Sequence, residues 1–360
     1  MLALRPLAFR PLALALGMVV LLAGCSGASS SPPVTPQPDR PASGLTKVRM
    51  GVTGALSDAA VYVTQEKGYF KEQGLDVEIR KFNSGADQVA SLNAGQLDIV
   101  GGGSSIELYN AMERGAQFRI VADKGHTPGP EWDYIALAVR KDLIDSGRVK
   151  TLADLKGLTV TSSGIGATTE VGLFTALASA QLTPNDVTYI TLGNGDLPAA
   201  FASHSIDAAI AAEPFMTQLE SQGTAVRFKG NSELFNRDQQ VAVIIYSEPF
   251  AANTDVARRW MIAYIRGLRD YNDAFGPERK GRDQVIDILI KSTPVKEARL
   301  YDQMRPPGLD PDGKVDVDYF KFELDWYKKS QSIDLSKLID TSFQEYAAQQ
   351  LGPYQTQLRG

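Results

Sequence analysis

The sequence has very few of the residues that metal sites, disulfides and many catalytic centres require. Its 360 residues include one cysteine and two histidines. One cysteine excludes a disulfide within the chain. The histidines, His126 and His204, lie far apart, and there is no His-x-x-x-His helix, cysteine pair or Gly-x-Ser-x-Gly motif. We therefore expect a protein that is not an enzyme, with no catalytic residues, no metal and no cofactor.

Positive charge and long apolar runs are also scarce. The formal net charge is −5, so nucleic-acid binding has no electrostatic support. The apolar run near the N-terminus, residues 12–23, is too short to span a membrane as a helix. The hydrophobic content of 43% is that of a globular protein, and the length suits about two domains of roughly 100–200 residues each.

The first 24 residues have the order of an export signal. Arg5 and Arg10 precede the apolar run. The run ends in LAGC (residues 22–25), which matches a bacterial lipobox, where the cysteine is lipidated and becomes the first mature residue. The alternative is an ordinary cleavage site made of small residues, at which the cysteine has no role. We predict a signal peptide over residues 1–24 and lipidation of Cys25.

The segment that follows, residues 25–45, is rich in proline and serine. Such a composition cannot form a core and is typical of a tether. Two or more acyl chains on Cys25 would hold the protein stably at a membrane surface. We therefore expect an exported protein, lipid-anchored to a membrane and facing the periplasm or the cell exterior.

From residue 46 onward, short strand candidates alternate with helical patterns, and the cycle restarts near residue 134. This alternation predicts an α/β fold with parallel βαβ units and helices on both faces of each sheet. The segments TAVRFKG (224–230) and QVAVIIYS (240–247) are predicted to pair and close the second half. Residues 254–351 are predicted to be helical, with an apolar stripe that packs in the core.

One phrase occurs twice. NAGQLDIVGGGSS (residues 93–105) and ASHSIDAAIAAEP (residues 202–214) each join the end of a helix to a short buried strand. Gly95 is predicted to end its helix in the left-handed conformation, which glycine adopts without steric cost. His204 stands at the matching position, so we interpret it as a tolerated helix end and not as a ligand.

Several stretches together resemble one family. They are EKGYFKEQGLDVEI (66–79), SGADQVASLNAGQLDIVGGG (84–103), TLADLKG (151–157), SIDAAIAAEPF (205–215) and IDTSFQEYAAQQLG (339–352). In this order they resemble the substrate-binding proteins of nitrate/sulfonate/taurine-type ABC importers. This group also includes binders of the thiamine pyrimidine precursor.

The resemblance implies a two-lobed periplasmic-binding-protein fold of type II-like topology. Each lobe would hold a mixed, mostly parallel sheet flanked by helices, and the C-terminal segment would be helical. Lobe I would comprise residues 46–136 and 244–360, and lobe II residues 137–243. Such a protein closes around a small-molecule solute and delivers it to an ABC permease in the cytoplasmic membrane. We expect it to be a monomer.

Candidate ligand-binding residues follow from a rule for open α/β sheets, in which ligands lie beyond the carboxyl ends of the strands. The loops at those ends are small and rich in hydroxyl groups, so their backbone N–H groups can approach a ligand. Ordinary helix caps and turns are the alternative reading of each single residue. The predicted residues are Leu56, Ser57, Asp58, Ser84, Gly103, Ser104, Ser105, Lys124, Trp132, Tyr134, Ser163, Gly164, Gly166, Thr168, Asn194, Glu213 and Phe215.

The residues of these loops are compatible with more than one chemical class of solute. The resemblance implies a sulfonate, nitrate or taurine class of ligand. However, Lys124 is the main basic candidate, whereas Asp58, Asp196 and Glu213 bring acids and Trp132 an aromatic ring. Acids with aromatics suit an amine-bearing or heteroaromatic solute, such as a thiamine pyrimidine precursor or a flavin. A receptor that senses its ligand without transport would have the same sequence features.

Other functional readings are disfavoured. Relatives of this fold that synthesise the thiamine pyrimidine look to need a cysteine-rich motif, and the sole cysteine here is Cys25. GIGATT (164–169) has threonine where a dinucleotide motif needs its last glycine or alanine. DPDGKVDVD (310–318) resembles a calcium loop, but Gly313 comes too early and Lys321 stands at the closing glutamate position. We predict a turn and a helix cap there.

Overall fold

The computed structural model describes residues 44–235 and 237–355. The predicted signal peptide, Cys25 and almost all of the tether lie outside these residues. Ten strands run in chain order as β1 (Thr46–Val52), β2 (Leu75–Lys81), β3 (Ile99–Gly102), β4 (Phe118–His126), β5 (Ile135–Arg140), β6 (Thr159–Ser162), β7 (Thr188–Thr191), β8 (Ala208–Ala212), β9 (Ala225–Gly230) and β10 (Gln240–Ser247).

The helices connect and cover these strands. They are α1 (Ala59–Glu66), α2 (Tyr69–Glu72), α3 (Gly85–Asn93), α4 (Ile106–Glu113), α5 (Lys141–Asp145), α6 (Thr168–Ser179), α7 (Leu197–Ala202), α8 (Phe215–Gln222), α9 (Asn231–Phe235), α10 (Glu248–Ala252), α11 (Thr254–Phe275), α12 (Arg282–Ser292), α13 (Val317–Trp326), α14 (Leu335–Leu338) and α15 (Ser342–Leu351). Within the described ranges, none of these helices has both the length and the apolar character needed to cross a bilayer.

The strands form two five-stranded sheets with equivalent topology. The first has the order β2-β1-β3-β10-β4 and the second β7-β6-β8-β5-β9. In each sheet three strands are parallel neighbours, and a fourth, β10 or β5, runs antiparallel between its neighbours. We call the part built on the first sheet the first lobe and the part built on the second sheet the second lobe. The predicted two-lobed α/β fold with mixed sheets is confirmed.

One strand pairing was predicted wrongly. The segments 224–230 and 240–247 do not pair, because β9 lies beside β5 in the second sheet and β10 lies between β3 and β4 in the first. All eight residues of β10 are buried, which is typical of a strand with neighbours on both sides and helices above and below. The predicted lobe limits fall within β5 and β10 and stay a prediction.

The duplicated phrase holds the same joint in both lobes. The Asp98 carboxylate accepts a hydrogen bond from the backbone N–H of Arg49 at 2.8 Å, and the Asp98 N–H donates back to the Arg49 carbonyl at 2.9 Å. Asp207 makes the same pair of bonds with Thr159, at 2.9 and 2.8 Å. Each aspartate thus fixes the start of β3 or β8 against the preceding central strand. The phrase occurs twice because each lobe needs this clamp.

The turns before these aspartates have the conformation that we predicted. Gly95 has φ 69° and His204 has φ 58°, both in the left-handed region. His204 pays the steric cost of a side chain there, and its imidazole is exposed at the surface. The interpretation of His204 as a helix end is confirmed.

The C-terminal helices extend the core of the first lobe. Helix α11 packs against α1 and α15. Its apolar stripe is fully buried, and the Trp260 ring stacks between Phe70 and Tyr264, with ring centroids 5.5 and 5.1 Å apart. Aromatic pairs at such distances contribute about 0.5–1.5 kcal/mol beyond their buried area. The stripe is therefore core packing, as predicted.

The clamp predicts a stability loss that comes mainly from the backbone hydrogen bond at the strand start, because the ion pair of Asp98 with the partly exposed Arg49 guanidinium contributes less. We expect Asp98→Ala to lower the free energy of unfolding by about 1–3 kcal/mol, because the Arg49 N–H loses its acceptor inside the sheet. Asp76→Ala is the matched control, since Asp76 is exposed on β2 and its loss should stay within about 0.5 kcal/mol. Urea unfolding measures both, and equal losses would contradict the clamp.

Candidate functional site

A cavity of about 60 Å³ lies between the two lobes. Most of the predicted ligand residues line it, namely Ser57, Ser84, Gly103, Ser104, Ser105, Lys124, Tyr134, Ser163, Thr168 and Asn194. They come from loops at the carboxyl ends of β1, β2, β3, β6 and β7, from β4, and from the approach to β5. The rule that ligands lie beyond the carboxyl ends of the strands therefore identified residues from both lobes that line one cavity. We call this cavity the cleft.

The cleft also has lining residues that sequence reasoning missed. They are Thr53, Ile135, Ala212, Val241 and Ala242. Val241 and Ala242 lie near the start of β10, and Ile135 is the first residue of β5. Because β5 and β10 are antiparallel, their amino ends meet the carboxyl ends of the other strands. The rule for parallel strands could not find them, whereas a correct assignment of β10 to the first sheet would have done so.

Three helices begin at the cleft, and they differ in how their first N–H groups are satisfied. The Ser84 hydroxyl caps α3 by accepting from the Asp87 N–H, and the Ser105 hydroxyl caps α4 by accepting from the Leu108 N–H. Helix α6 begins at Thr168 after Ala167, with no side-chain cap. Unsatisfied N–H groups at a helix start carry partial positive charge. The start of α6 therefore offers donors to a ligand that accepts hydrogen bonds.

A buried ion pair forms the floor of the cleft. The Lys124 ammonium lies 2.6 Å from Asp58 Oδ1 and donates to Ser57 Oγ at 3.0 Å. The other Asp58 oxygen accepts from the backbone N–H of Gly54 at 2.6 Å. Both charged side chains are fully buried. Lys124 therefore contacts the cleft as a neutralised cation, and the floor has no net charge.

Tyr134 adds a neutral donor to the wall of the cleft. Its side chain is buried, and burial raises the pKa of its phenol well above the usual range. The hydroxyl therefore keeps its proton at physiological pH. Together with the hydroxyls of Ser163 and Thr168 and the amide of Asn194, it gives the cleft neutral polar groups beside the ion-paired Lys124 and several apolar residues.

Seven predicted ligand residues do not line the cleft: Leu56, Asp58, Trp132, Gly164, Gly166, Glu213 and Phe215. Glu213 is the clearest case, because its carboxylate is fully buried, 2.6 Å from the Arg227 guanidinium, and accepts from the Thr217 N–H at 3.0 Å. Burial raises the pKa of Glu213, and Arg227 opposes that rise. Phe215 is buried at the start of α8. In the second copy of the duplicated phrase, Ala212 lines the cleft, whereas Glu213, which we expected there, supports the lobe instead.

The lobes touch each other directly around the cleft. The Thr168 hydroxyl donates to the Ser104 carbonyl at 3.0 Å, and the Ile106 N–H donates to the Gly166 carbonyl at 3.0 Å. On the other side the Leu56 N–H donates to the Glu213 carbonyl at 2.8 Å. These bonds cross from one lobe to the other, so the structure has the lobes closed on the cleft.

Two glycines permit this close approach. A Cβ atom on Gly103 would overlap the Thr168 hydroxyl and lie 3.0 Å from the Val241 carbonyl. A Cβ on Gly166 would overlap the Ile106 side chain, and Gly166 also has φ 68°. Gly166 therefore serves the closed contact and not the ligand directly.

The described residues contain no group of three or more His, Cys, Asp or Glu side chains that could hold a metal. The predicted turn and cap over residues 310–318 are confirmed. Asp310 Oδ1 accepts from the N–H groups of Asp312 and Lys314, at 2.9 and 3.1 Å. Asp316 caps α13 by accepting from the Asp318 and Tyr319 N–H groups.

The buried pair on the cleft floor predicts an asymmetric response to mutation. Lys124→Met should lower the free energy of unfolding by about 3–5 kcal/mol, because it leaves Asp58 charged and buried. Adding Asp58→Asn should restore most of that loss. Lys229→Met is the control, since the Lys229–Glu233 pair is exposed and is worth less than about 1 kcal/mol. Urea unfolding at neutral pH gives all three values, and a double variant no better than Lys124→Met would contradict the pairing.

Comparisons with known proteins agree on the fold. The family model described as NMT1/THI5 like matches residues 57–273. A Brucella abortus protein that is named only as a binding protein is 29% identical over 253 residues, covering 66% of this chain and 68% of that protein.

Solved structures with the same fold include two proteins that are named for the solutes they bind. The alkanesulfonate-binding protein SsuA from Xanthomonas axonopodis pv. citri, bound to MOPS, has a TM-score of 0.66 at 18% identity, covering 84% of this chain and 100% of that chain. The nitrate-binding protein NrtA from Synechocystis PCC 6803 has a TM-score of 0.65 at 14% identity, covering 85% and 89%. The desulfurization enzyme DSZB is also similar, with a TM-score of 0.56 at 13% identity, covering 85% and 100%. The fold alone therefore does not decide between binding and catalysis.

Proposed function

This chain belongs to the NMT1/THI5-like family, and we propose that it is the extracytoplasmic solute-binding receptor of an ABC importer. It captures a small organic solute between its two lobes and hands it to the permease in the cytoplasmic membrane. The family membership and the fold shared with SsuA and NrtA support this role. The observation that carries it is the closed cleft between two lobes of equivalent topology, which has hydrogen-bonding groups from both lobes and no net charge on its floor.

We further propose that the solute has the sulfonate, nitrate or taurine character of the ligands of such importers. The cleft offers the uncapped start of α6, with the Ser163 hydroxyl and the Tyr134 phenol around it. These groups donate hydrogen bonds, and a helix N-terminus favours a negative group by about 0.3–1 kcal/mol. Binding of an oxyanion here would depend on N–H and O–H dipoles, because Asp58 neutralises Lys124.

A heteroaromatic solute is the second candidate, and Tyr134 is the observation that favours it. Its ring lies in the wall of the cleft, where an aromatic solute could contact it. The predicted partners for such a solute, Trp132 and Glu213, are outside the lining. The second candidate therefore has one favourable contact, whereas the first has several donors.

The lining also supports binding without chemistry. Ser57 and Lys124 are the one pair in the lining that resembles a nucleophile with its base, at 3.0 Å. A general base must be unprotonated to accept the serine proton. Here the Lys124 ammonium donates to the Ser57 hydroxyl and is paired with Asp58 at 2.6 Å, so it does not accept a proton from Ser57. We therefore propose that this protein is not an enzyme.

We also propose that the protein is a monomer that a lipid anchors to the membrane. A lipid on Cys25 and the tether over residues 25–45 would keep the lobes near the permease and raise their local concentration there. Fractionation of cells that carry Cys25→Ser tests the anchor. Release of the protein from the membrane is the expected result, and an unchanged membrane fraction would exclude lipidation at this residue.

A thermal-shift panel tests the binding role. It contains nitrate, methanesulfonate, taurine, an aminopyrimidine and riboflavin, each against the ligand-free protein. A solute at 100 times its Kd stabilises the folded state by about 2.7 kcal/mol, which is readily measured. If none of these or a broader set of small solutes shifts the midpoint, the receptor role is wrong. A shift only with the aminopyrimidine or riboflavin would favour the second candidate.

Closure of the lobes predicts a specific effect at Gly103. We expect Gly103→Ala to weaken solute binding roughly 5- to 150-fold, because the added methyl group prevents the approach of Thr168 at a cost of about 1–3 kcal/mol. The ligand-free melting temperature should fall only slightly, since the overlap with Thr168 arises only when the lobes meet, and within the first lobe the methyl group meets only the Val241 carbonyl, at 3.0 Å. Calorimetric titration with the solute found by the panel measures the affinity.

Gly195→Ala is the matched control for this variant. Gly195 lies in the second lobe beside the cleft residue Asn194, and a Cβ there meets nothing within 4 Å. Small-angle scattering should show compaction with solute for wild type and Gly195→Ala but not for Gly103→Ala. Normal compaction and affinity in Gly103→Ala would show that closure does not need this glycine.

A further inference from the structure

Glu323 is a buried carboxylate directly behind the cleft wall. It lies on α13, its side chain is fully buried, and one oxygen, Oε2, accepts from the Ser104 hydroxyl at 2.5 Å and from the Tyr109 hydroxyl. The other oxygen, Oε1, has no hydrogen-bond partner among the described residues. A buried ionised carboxylate normally has a cationic partner or several donors. Glu323 has two neutral hydroxyls.

The groups that face Glu323 are all uncharged phenols and hydroxyls. Tyr109 faces it from α4, Ser104 from the loop after β3, Tyr319 from α13 itself and Tyr327 from the residue directly after α13. Burial raises the pKa of Glu323 to about 7, and the hydrogen bonds from Ser104 and Tyr109 offset only part of that effect. Glu323 therefore changes its protonation state within the physiological range.

Ser104 connects this carboxylate to the cleft and to the second lobe. It lines the cleft, its hydroxyl is bonded to Glu323, and its carbonyl accepts the Thr168 hydroxyl across the closed contact. Tyr327, one turn after Glu323 on the same stretch of chain, donates to the Gly166 carbonyl of the second lobe at 2.8 Å. Glu323 thus lies behind the surface on which the lobes close.

The protonation state of Glu323 decides what the Ser104 hydroxyl can do. An ionised carboxylate only accepts, so Ser104 must donate its proton to Oε2 and can only accept from a solute. A carboxyl proton on Oε2 can donate to Ser104 Oγ, which releases the serine proton toward the cleft. An anionic solute needs donors, so it favours the second arrangement.

We propose that Glu323 is a positioning residue that determines whether the Ser104 hydroxyl can donate a hydrogen bond to a solute. An anionic solute therefore binds together with one proton, which is taken from solvent onto the Glu323 carboxylate. The inference rests on the proposed receptor function and names the hydrogen-bond donor that the solute recruits. The proton balance is simple: one anion and one proton enter, and the charge of the complex stays that of the free protein.

The first test needs no ligand. The native state of the whole chain holds a proton on Glu323 that the unfolded chain releases at the ordinary glutamate pKa. Stability from this group is therefore present at low pH and lost as pH rises toward about 7. Glu323→Gln should remove this part of the pH dependence of the melting temperature. Glu248→Gln, which removes a carboxylate paired with Arg119 away from the cleft, should keep it, and a wild-type profile in Glu323→Gln overturns the proposal.

The second test measures affinity, with methanesulfonate or nitrate as the probe. Above about pH 7 the wild-type Kd should rise by up to about tenfold per pH unit, with uptake of one proton seen in buffers of different ionisation enthalpy. Glu323→Gln should bind with an affinity that does not change with pH. Ser104→Ala should also lose the pH dependence of binding while it keeps the pH dependence of stability, because Glu323 is still present.

The outcomes separate this inference from the receptor function. Binding of the probe with no proton uptake, equally in wild type and Glu323→Gln, overturns the role of Glu323 and leaves the receptor intact. No binding of either anion at any pH overturns the anionic solute class and this inference with it, whatever the stability profile shows. Retained pH dependence of binding in Ser104→Ala would show that Glu323 acts by another route than the serine hydroxyl.

Discussion

Each sheet of this protein is completed by a strand that arrives from the other lobe. β10 enters the first sheet between β3 and β4 after the chain has built the second sheet, and β5 enters the second sheet directly after the chain leaves the first. Both strands are antiparallel to their neighbours. The second lobe builds its sheet from one continuous segment, β5 to β9, whereas the first lobe needs β10 to complete its sheet after the second has formed. The two crossings connect the lobes at the edge where they face each other.

The same two strands determine the chemistry of the cleft. Their amino ends carry Ile135, Val241 and Ala242 to the edge where the parallel strands end. These apolar residues lie among the polar groups of the lining. In such surroundings the N–H and O–H donors of the cleft have a stronger effect than they would have in water. A lining without net charge can then select a ligand by the direction of its hydrogen bonds.

The fold was largely predictable from local patterns, because each pattern has a local physical cause. Glycine and histidine turns at Gly95 and His204, and the aspartates after them, mark the helix-to-strand joints in both lobes. The partner of β10 was not predictable in this way, since its apolar residues suit any buried strand. The candidate ligand residues differ in the same way. The loops at strand ends could be predicted from local patterns, whereas the pairing of Glu213 with Arg227, which takes Glu213 out of the lining, depends on the tertiary structure.

The floor of the cleft and the wall at Ser104 differ in how their buried charge is balanced. Lys124 and Asp58 pair with each other on the floor, so together they impose no preference on the sign of a solute. Glu323, behind Ser104, has no cationic partner among the described residues. Its ionised form therefore lowers the stability of the folded protein unless a proton neutralises it. A protein that binds anions in a neutral cleft gains selectivity if the donor that meets the anion appears only with that proton. The carboxylate without a cation is thus the part of the site whose chemistry responds to its surroundings, while the ion pair is the part that stays fixed.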